Sequence, residues 1–208
     1  MNPLAQRLNA AARRVPPWLI YLAGLGHVVW LFWLGQSGAL GPEPINALER
    51  VLGETGLKLV VAGLAITPLM RLARVNLIRF RRAIGLTAFF YICVHLAVWL
   101  FLDVYILADV WAEIVKRPYI TVGMAGFAAL VPLALTSNDW SVRRMGAAGW
   151  KRLHRLTYAA AVLGAVHNVM IAKNWQAESL TYLAIILALL ALRLTGRRRR
   201  APARPVQA

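Results

Sequence analysis

The sequence contains a single cysteine, Cys93, and few acidic residues. Aspartate and glutamate together number 8, against 24 lysine and arginine residues. One cysteine within an apolar run excludes an internal disulfide and a multi-cysteine metal cluster in one chain. The sequence also shows no internal repeat, no nucleotide-binding glycine motif and no segment that would form a sizeable soluble domain. A reductant and a substrate would therefore have to come from other molecules.

Long apolar runs dominate the rest of the sequence. Its 208 residues are 60% hydrophobic and the mean hydropathy is +0.58, a composition typical of membrane proteins. The net charge is +16, but the basic residues lie in short clusters between apolar runs rather than along one polar face. This pattern favours a lipid bilayer over nucleic acid as the partner. The basic N-terminus lacks a convincing cleavage site, so we expect the first apolar run to be retained as a helix.

Six apolar runs predict an all-α fold, an integral membrane bundle of about six transmembrane helices. The first run has no charged residue over residues 15–42, more than the ~20 residues that cross a bilayer core. The predicted helices cover residues 18–35, 56–72, 83–102, 118–138, 156–172 and 179–192. Residues 36–55 are predicted to be a loop with at most one short interfacial helix. The last run has only 14 residues between Glu178 and Arg193, so it spans only if both ends reach toward the headgroups or the bilayer thins.

The basic clusters all fall at one end of this arrangement. They lie at residues 13–14, 71–82, 143–155 and 197–200, whereas seven of the 8 acidic residues lie in the connections at the opposite end. Basic residues near helix ends stay on the cytoplasmic side, so we expect both termini to be cytoplasmic. The predicted organisation is a short N-terminal segment (1–15), one transmembrane domain (16–195) and a basic tail (196–208).

The four histidines are the candidate functional residues. An ionisable side chain within an apolar helix is costly, so each is a hypothesis for a functional site; the alternative for each is a hydrogen bond to a neighbouring helix. His154 and His167 are both assigned to the fifth helix, 13 residues apart, which is roughly 20 Å of helical rise. They would therefore lie near opposite faces of the membrane.

His95 and His167 are predicted to lie at similar depth. The third and fifth helices run in the same direction, and the two histidines lie 13 and 15 residues beyond Arg82 and Arg152. We infer that their imidazoles can bind one haem iron from both sides. His154 would lie nearer the basic end, and a second haem there would need a further ligand that the sequence does not identify.

His27 and Cys93 fit structural roles better. His27 is near the middle of the first helix and lacks a partner at matching spacing, so a packed or hydrogen-bonded histidine is favoured. Cys93 lies two residues before His95, on roughly the opposite face of the helix, and is expected to be a small packing residue.

Several motifs, taken in order, resemble a known family. They are RFRRAIGL (79–86), ICVHLAVW (92–99), KRPYITVG (116–123), LALTSN (133–138) and WKRLHRLTYAAAVLGAVHN (150–168). They resemble the MsrQ family of haem-binding membrane subunits of bacterial protein-methionine-sulfoxide reductase systems, and more widely the ferric reductase-like transmembrane domains. The resemblance covers roughly residues 16–195. Its most specific element is LHRLTY with a second histidine 13 residues after the first.

The resemblance implies a multi-pass cytochrome b-type subunit of the bacterial inner membrane. By that resemblance His95, His154 and His167 are axial ligands of one or two haem b groups, and FMN is an associated cofactor. Electrons would come from the quinone pool or a reduced flavin. They would pass to a periplasmic molybdopterin reductase, MsrP, which repairs oxidised methionines in periplasmic proteins and carries out the catalytic reduction itself.

Two other functions stay open at this point. One is a stand-alone ferric reductase-like reductase of metal or oxygen, which the missing nucleotide-binding domain disfavours. The other is a transporter or assembly factor whose buried histidines relay protons or pack, which the missing internal repeat disfavours. Arg81, Arg82 and Arg152 could pair with haem propionates or an FMN phosphate, although membrane topology alone also explains the basic loops.

Overall fold

The computed structural model describes residues 3–104, 106–172 and 176–198, and in these residues the fold is all-α, as predicted. The helices are α1 (Pro3–Arg14), α2 (Trp18–Gln36), α3 (Pro44–Leu72), α4 (Arg81–Val98), α5 (Val110–Lys116), α6 (Pro118–Leu135), α7 (Asp139–Leu153), α8 (Leu156–Ile171) and α9 (Ala177–Arg198). Residues Trp99–Val104 form a π-helix that continues α4.

Four helical segments are long and apolar enough to cross a membrane. They are Trp18–Gln36, Pro44–Leu72, Ile78–Val104 and Pro118–Leu135, and α8 is a shorter apolar helix. On α2 the large apolar side chains of Leu22, Val29 and Trp33 are more than half exposed, which suits contact with lipid rather than water. The chain is therefore a membrane protein with several crossings. A crossing by α9 and the cytoplasmic location of the termini stay predictions.

The second membrane helix begins earlier than expected. Residues 44–55, predicted to be a loop, are the first turns of α3, which is 29 residues long. Pro44 suits the first turn because an N–H there has no helical partner in any case. Leu48 and Leu52, one turn apart, are buried against α2 and α4. The prediction was wrong because these tertiary contacts outweigh the local glycine, proline and charge content.

The last helix is longer than its apolar run. α9 covers 22 residues, and Arg193 lies within it instead of marking its end. The guanidinium of Arg193 points inward and donates from Nη2 to the carbonyl oxygen of Leu64 on α3, at 2.6 Å. Pro68, four residues after Leu64, has no N–H, so this carbonyl lacks its usual helical donor. Arg193 supplies the missing donor, which a reading of charge alone could not foresee.

The basic connection after α6 is helical as well. Asn138 caps α7 by accepting a hydrogen bond from the backbone N–H of Ser141 at 2.7 Å. Gly146 interrupts α7 with a φ of 70°, a conformation that favours glycine. Because α7 ends at Leu153, His154 lies in the turn before α8. The prediction that His154 shares the fifth membrane helix with His167 is therefore wrong.

Two closely packed helix pairs form the centre of the bundle. α4 packs mainly on α3, and α8 packs mainly on α6, while α9 lies against α3 and α8. One apolar cluster joins α2, α3 and α4, and a second joins α3, α8 and α9. Each closely packed pair carries one of the two histidines that are predicted to face each other.

Candidate functional site

His95 lies near the end of α4, and α3 holds its ring. Nδ1 is 2.9 Å from the carbonyl oxygen of Glu49. A carbonyl oxygen can only accept, so Nδ1 carries the proton and donates it. Nε2 is then unprotonated, with a lone pair available to a metal. Proteins commonly orient a metal-binding histidine by such a bond from its other nitrogen.

His167, on α8, is held in the same way by α6. Its Nδ1 is 2.6 Å from the carbonyl oxygen of Tyr119, and the Tyr119 ring lies against the imidazole with centroids 6.2 Å apart. The same argument leaves Nε2 of His167 unprotonated. Each of the two histidines is therefore oriented by a backbone carbonyl of the helix that packs most closely on its own.

A glycine lies one helical turn after each of these carbonyl groups, Gly53 on α3 and Gly123 on α6. A Cβ at Gly53 would lie 3.2 Å from Nδ1 of His95. A Cβ at Gly123 would lie 2.8 Å from both Nδ1 and Cε1 of His167, closer than real side chains approach. The missing side chains allow both rings to approach the neighbouring helix closely enough for the hydrogen bonds.

The rings of His95 and His167 face each other between α4 and α8. Their centroids are 6.3 Å apart and their planes are inclined at 78°. Unprotonated imidazole nitrogens are ligands that haem iron takes from proteins. The residues therefore fit an iron shared between them. The predicted proximity is observed, and the role of the two residues as ligands stays a prediction.

This donor set suits haem better than a bare metal ion. In the described part of the chain, no group of three or more histidine, cysteine, aspartate or glutamate side chains could hold a metal ion. Two imidazoles alone leave most positions around a metal unfilled. A porphyrin supplies the in-plane nitrogens of its iron and leaves two axial positions for protein ligands.

His154 has a different environment. Its Nε2 is 3.0 Å from Oγ1 of Thr136, and the Thr136 hydroxyl donates to the carbonyl oxygen of Pro132 at 2.6 Å. Nε2 of His154 must therefore be the donor to Thr136. The ring stacks on Trp150 with centroids 3.7 Å apart. Burial, followed by the positive charge of Arg81, lowers the pKa of His154.

The structure does not bring His154 together with another histidine. Across residues 3–104, 106–172 and 176–198, the ring contact recorded for His154 is with Trp150. To bind iron through Nε2, His154 would first have to release Thr136. Its role as a ligand stays a prediction.

His27 has the hydrogen-bonded role favoured for it. Its Nδ1 is 2.7 Å from the hydroxyl of Tyr91 on α4. That hydroxyl lies 3.2 Å from the carbonyl oxygen of Gly24, to which it donates. The hydroxyl proton is thus directed to Gly24, so Nδ1 of His27 is the donor to Tyr91.

Arg82, one of the arginines considered for an anionic group, is paired within the chain. It forms an exposed ion pair with Asp139 at the start of α7. The hydrogen bond and charge of Arg82 lower the pKa of Asp139. Arg82 thus has a protein partner that the sequence analysis did not anticipate.

Sequence analysis also missed the residues that orient the histidines. Glu49 and Tyr119 act through carbonyl oxygens, which every residue has, so their side chains carry no signal. Gly53 and Gly123 could have indicated these contacts, because a glycine inside a membrane helix often marks a place where a neighbouring helix approaches closely. Gly53 was overlooked because its segment was assigned to a loop.

Comparisons with known proteins agree with the motifs. Residues 52–165 match the family model described as ferric reductase like transmembrane component, a region that includes His95 and His154 and ends two residues before His167. The chain is 45% identical over 178 residues to proteins of Brucella ovis, Brucella suis and Brucella abortus, each named protein-methionine-sulfoxide reductase heme-binding subunit MsrQ. The match covers 85% of this chain and 80% of each relative. No solved structure matches it.

Proposed function

This chain belongs to the MsrQ heme-binding subunits within the ferric reductase-like transmembrane family, and on this premise we propose that it carries electrons across a bacterial inner membrane through haem b. The main support is the facing pair His95 and His167, with centroids 6.3 Å apart. When bound there, haem b would supply an iron that takes up and releases single electrons.

His95 and His167 would be the axial ligands in this proposal. Their Nδ1–H groups donate to the carbonyl oxygens of Glu49 and Tyr119, which fixes the orientation of each ring. Such donation also makes Nε2 more basic and so a stronger ligand. Both rings are half-buried among apolar helices, and exclusion of water is one of the means by which a protein sets a redox potential.

We include His154 as the ligand of a second haem b, following the family resemblance. In that role its Nε2 would exchange the hydroxyl of Thr136 for iron. FMN is carried over from the resemblance alone, and no described residue is assigned to it.

The direction of transfer follows from the charges at the two ends. The basic clusters would face the cytoplasm, where the quinone pool or a reduced flavin donates electrons. The acidic end, next to His95 and His167, would face the periplasm and the molybdopterin reductase MsrP, which reduces methionine sulfoxide in oxidised proteins. The relatives are named as heme-binding subunits of a reductase, which supports a separate catalytic partner.

A reduced-minus-oxidised visible spectrum of the protein purified in detergent tests the ligand assignment. Haem per chain is measured on the same samples of the wild type, His95→Ala and His167→Ala. We expect sharp reduced bands of a low-spin b-type haem in the wild type and loss of most of this signal in each variant. His27→Ala is the control, because His27 is hydrogen-bonded to Tyr91, and it should keep the signal. Unchanged haem content and spectrum in His95→Ala and His167→Ala would refute the assignment.

A further inference from the structure

The first helix, α1, is fastened to the connection between α3 and α4. The side chain of Asn9 donates from Nδ2 to the carbonyl oxygen of Arg74 at 3.0 Å, and its Oδ1 accepts from the backbone N–H of Asn76 at 2.8 Å. Arg79 donates from Nη1 to the carbonyl oxygen of Arg13 at 2.8 Å. That carbonyl belongs to the last turn of α1, where carbonyl groups lack a helical donor. These contacts hold α1 in one orientation against the protein.

The position of α1 places it at the membrane surface of the basic end. The connection that it contacts joins α3 to α4, and α1 itself leads into α2, which starts at Trp18. All three helices belong to segments that are long and apolar enough to cross a membrane. α1 therefore lies where three spanning segments begin or end, which is the level of the lipid headgroups.

One face of α1 packs on the protein, and an apolar stripe lies beside it. Ala5 is only 3% exposed, and Asn9, one turn later, makes the contacts with the connection. The apolar stripe consists of Leu4, Leu8 and Val15, which are 61%, 46% and 42% exposed. At about 100° per residue, Leu4 and Leu8 lie roughly a quarter of a turn from the face that packs on the protein. The stripe is therefore outside that contact.

The remaining face of α1 is basic. Arg7 and Arg14 are exposed, α1 contains no aspartate or glutamate, and the first acidic residue of the chain is Glu43. Arg74, in the connection that α1 contacts, adds a further exposed charge. An apolar stripe bordered by arginines is typical of helices that lie in the headgroup region of an anionic membrane. Charge complementarity therefore favours an anionic partner.

The exposed apolar surface also continues along the chain from α1 into α2. After Val15, the side chains of Trp18, Leu19 and Leu22 are 54%, 40% and 56% exposed. Tryptophan is enriched where a membrane helix meets the headgroups. Because the exposed face of α2 suits contact with lipid, the stripe on α1 adjoins a surface that lies in the membrane.

We propose that α1 is an interfacial helix that binds the anionic phospholipids of the leaflet at the basic end. The apolar stripe lies among the upper parts of the acyl chains, and Arg7 and Arg14 contact phosphate groups. A second copy of the chain is a poorer partner for this surface, because a symmetric contact would bring the same arginines together.

The bound helix would tie the connection between α3 and α4 to the membrane surface. Asn9 provides this link, since its side chain bonds to two backbone groups of the connection. The proposal does not involve haem at His95 and His167, so it stands or falls separately from the proposed function.

Spin labels on opposite sides of α1 test its depth in the membrane. Leu8→Cys places a label on the apolar stripe, and Gln6→Cys places the control label on nearly the opposite, exposed side. Both are made in the full chain with Cys93→Ala, which removes the only native thiol. The protein is placed in nanodiscs of phosphatidylcholine and phosphatidylglycerol in equal parts. Relaxation by oxygen, which concentrates in hydrocarbon, is compared with relaxation by a nickel chelate, which stays in water.

We expect the Leu8 label to lie about 5–10 Å deep in the interface, with stronger relaxation by oxygen than by the nickel chelate. The Gln6 label should show the reverse. In nanodiscs of phosphatidylcholine alone, the Leu8 label should lie a few ångströms less deep, because Arg7 and Arg14 lose their attraction to anionic headgroups. Thermal unfolding checks that each variant is folded, and Leu4→Cys on the same stripe replaces Leu8→Cys if that variant is not.

Arginine variants assign the dependence on lipid charge to α1. Neutralising this helix with Arg7→Gln and Arg14→Gln together should remove the difference in depth between the two lipid mixtures. The matched control is Arg143→Gln together with Arg144→Gln. It neutralises two exposed arginines of α7 and should keep the difference.

Several results would overturn the proposal. A Leu8 label that the nickel chelate reaches as readily as the Gln6 label would show that α1 lies in water. A Leu8 label that neither reagent reaches would show that protein covers the stripe. Equal depth in the two lipid mixtures, or a difference that survives Arg7→Gln with Arg14→Gln, would exclude anionic headgroups as the partner.

Discussion

The two ends of the bundle use their histidines in different ways. At the acidic end, His95 and His167 each donate from Nδ1 to a backbone carbonyl, and their rings face each other. At the basic end, His154 donates from Nε2 to Thr136 and stacks on Trp150. The first arrangement leaves both Nε2 atoms unprotonated, and the second engages Nε2 as a hydrogen-bond donor. Depth and spacing along a helix therefore identify candidate ligands, but the hydrogen-bond partner decides which nitrogen is free.

At the acidic end, the same local arrangement occurs in two helix pairs. In each pair, a histidine contacts a carbonyl of the partner helix, and a glycine one turn later makes room for its ring. The chain has no detectable sequence repeat, so this similarity lies in the packing. The basic end has no such glycine contact with His154 among the described residues.

The largest expected effect comes from filling the glycine beside His167. In Gly123→Ala the new Cβ would lie 2.8 Å from two atoms of the His167 ring, so either the ring or α6 must move. We expect loss of most of the low-spin haem signal, measured as haem per chain and as the visible spectrum.

Two further glycine variants sharpen this prediction. In Gly53→Ala the corresponding distance to His95 is 3.2 Å, so we expect a smaller loss of haem or a shift of the spectrum. Gly85→Ala on α4 is the control, because a Cβ there meets nothing within 4 Å, and alanine favours a helix. An unchanged haem signal in Gly123→Ala would show that the close approach is not needed for binding.

An intermediate effect is expected at the basic end from Thr136→Val. The substitution removes the acceptor of His154 Nε2 and leaves that polar group unpaired. We expect a loss of about 1 kcal/mol in the free energy of unfolding, measured by denaturation in detergent, with the His95–His167 haem signal retained.

The double variant with His154→Ala tests whether this loss comes from the pair. Its loss should be smaller than the sum of the two single losses, because both single changes remove the same hydrogen bond, whereas His154→Ala also removes the stacking on Trp150. Fully additive losses would mean that Thr136 and His154 stabilise the protein separately.

The smallest effect is expected from Asp139→Asn. Asp139 is exposed and paired with Arg82, and such surface pairs contribute little to stability. Because Arg82 lowers the folded-state pKa of Asp139, the contribution is present above the ordinary aspartate pKa. It is lost as the pH falls through the lowered value.

The pH dependence of stability checks this prediction. The unfolding temperatures of wild type and Asp139→Asn should be similar at neutral pH, and any difference should vanish in acid. A difference that grows as the pH falls would contradict the assignment of the pair.

Helix periodicity predicted some contacts well and others poorly. The proximity of His95 and His167 was predictable, because two helices running in the same direction keep residues at equal depth when their counts from the basic end are similar. The start of α3 was not predictable, because its first turns are stabilised by contacts of Leu48 and Leu52 with other helices. His154 was misassigned because a short turn between α7 and α8 leaves no clear mark in the composition.

The sequence by itself determined the membrane character, the all-α class, the basic and acidic ends and the histidines worth testing. These properties depend on apolar length and on the positions of charges, which are local quantities. Only the tertiary structure decided which histidine nitrogens are unprotonated, why glycine stands at positions 53 and 123, and that Arg193 points inward to the Leu64 carbonyl. Those features depend on backbone carbonyls and close approaches between distant helices, which no single stretch of sequence encodes.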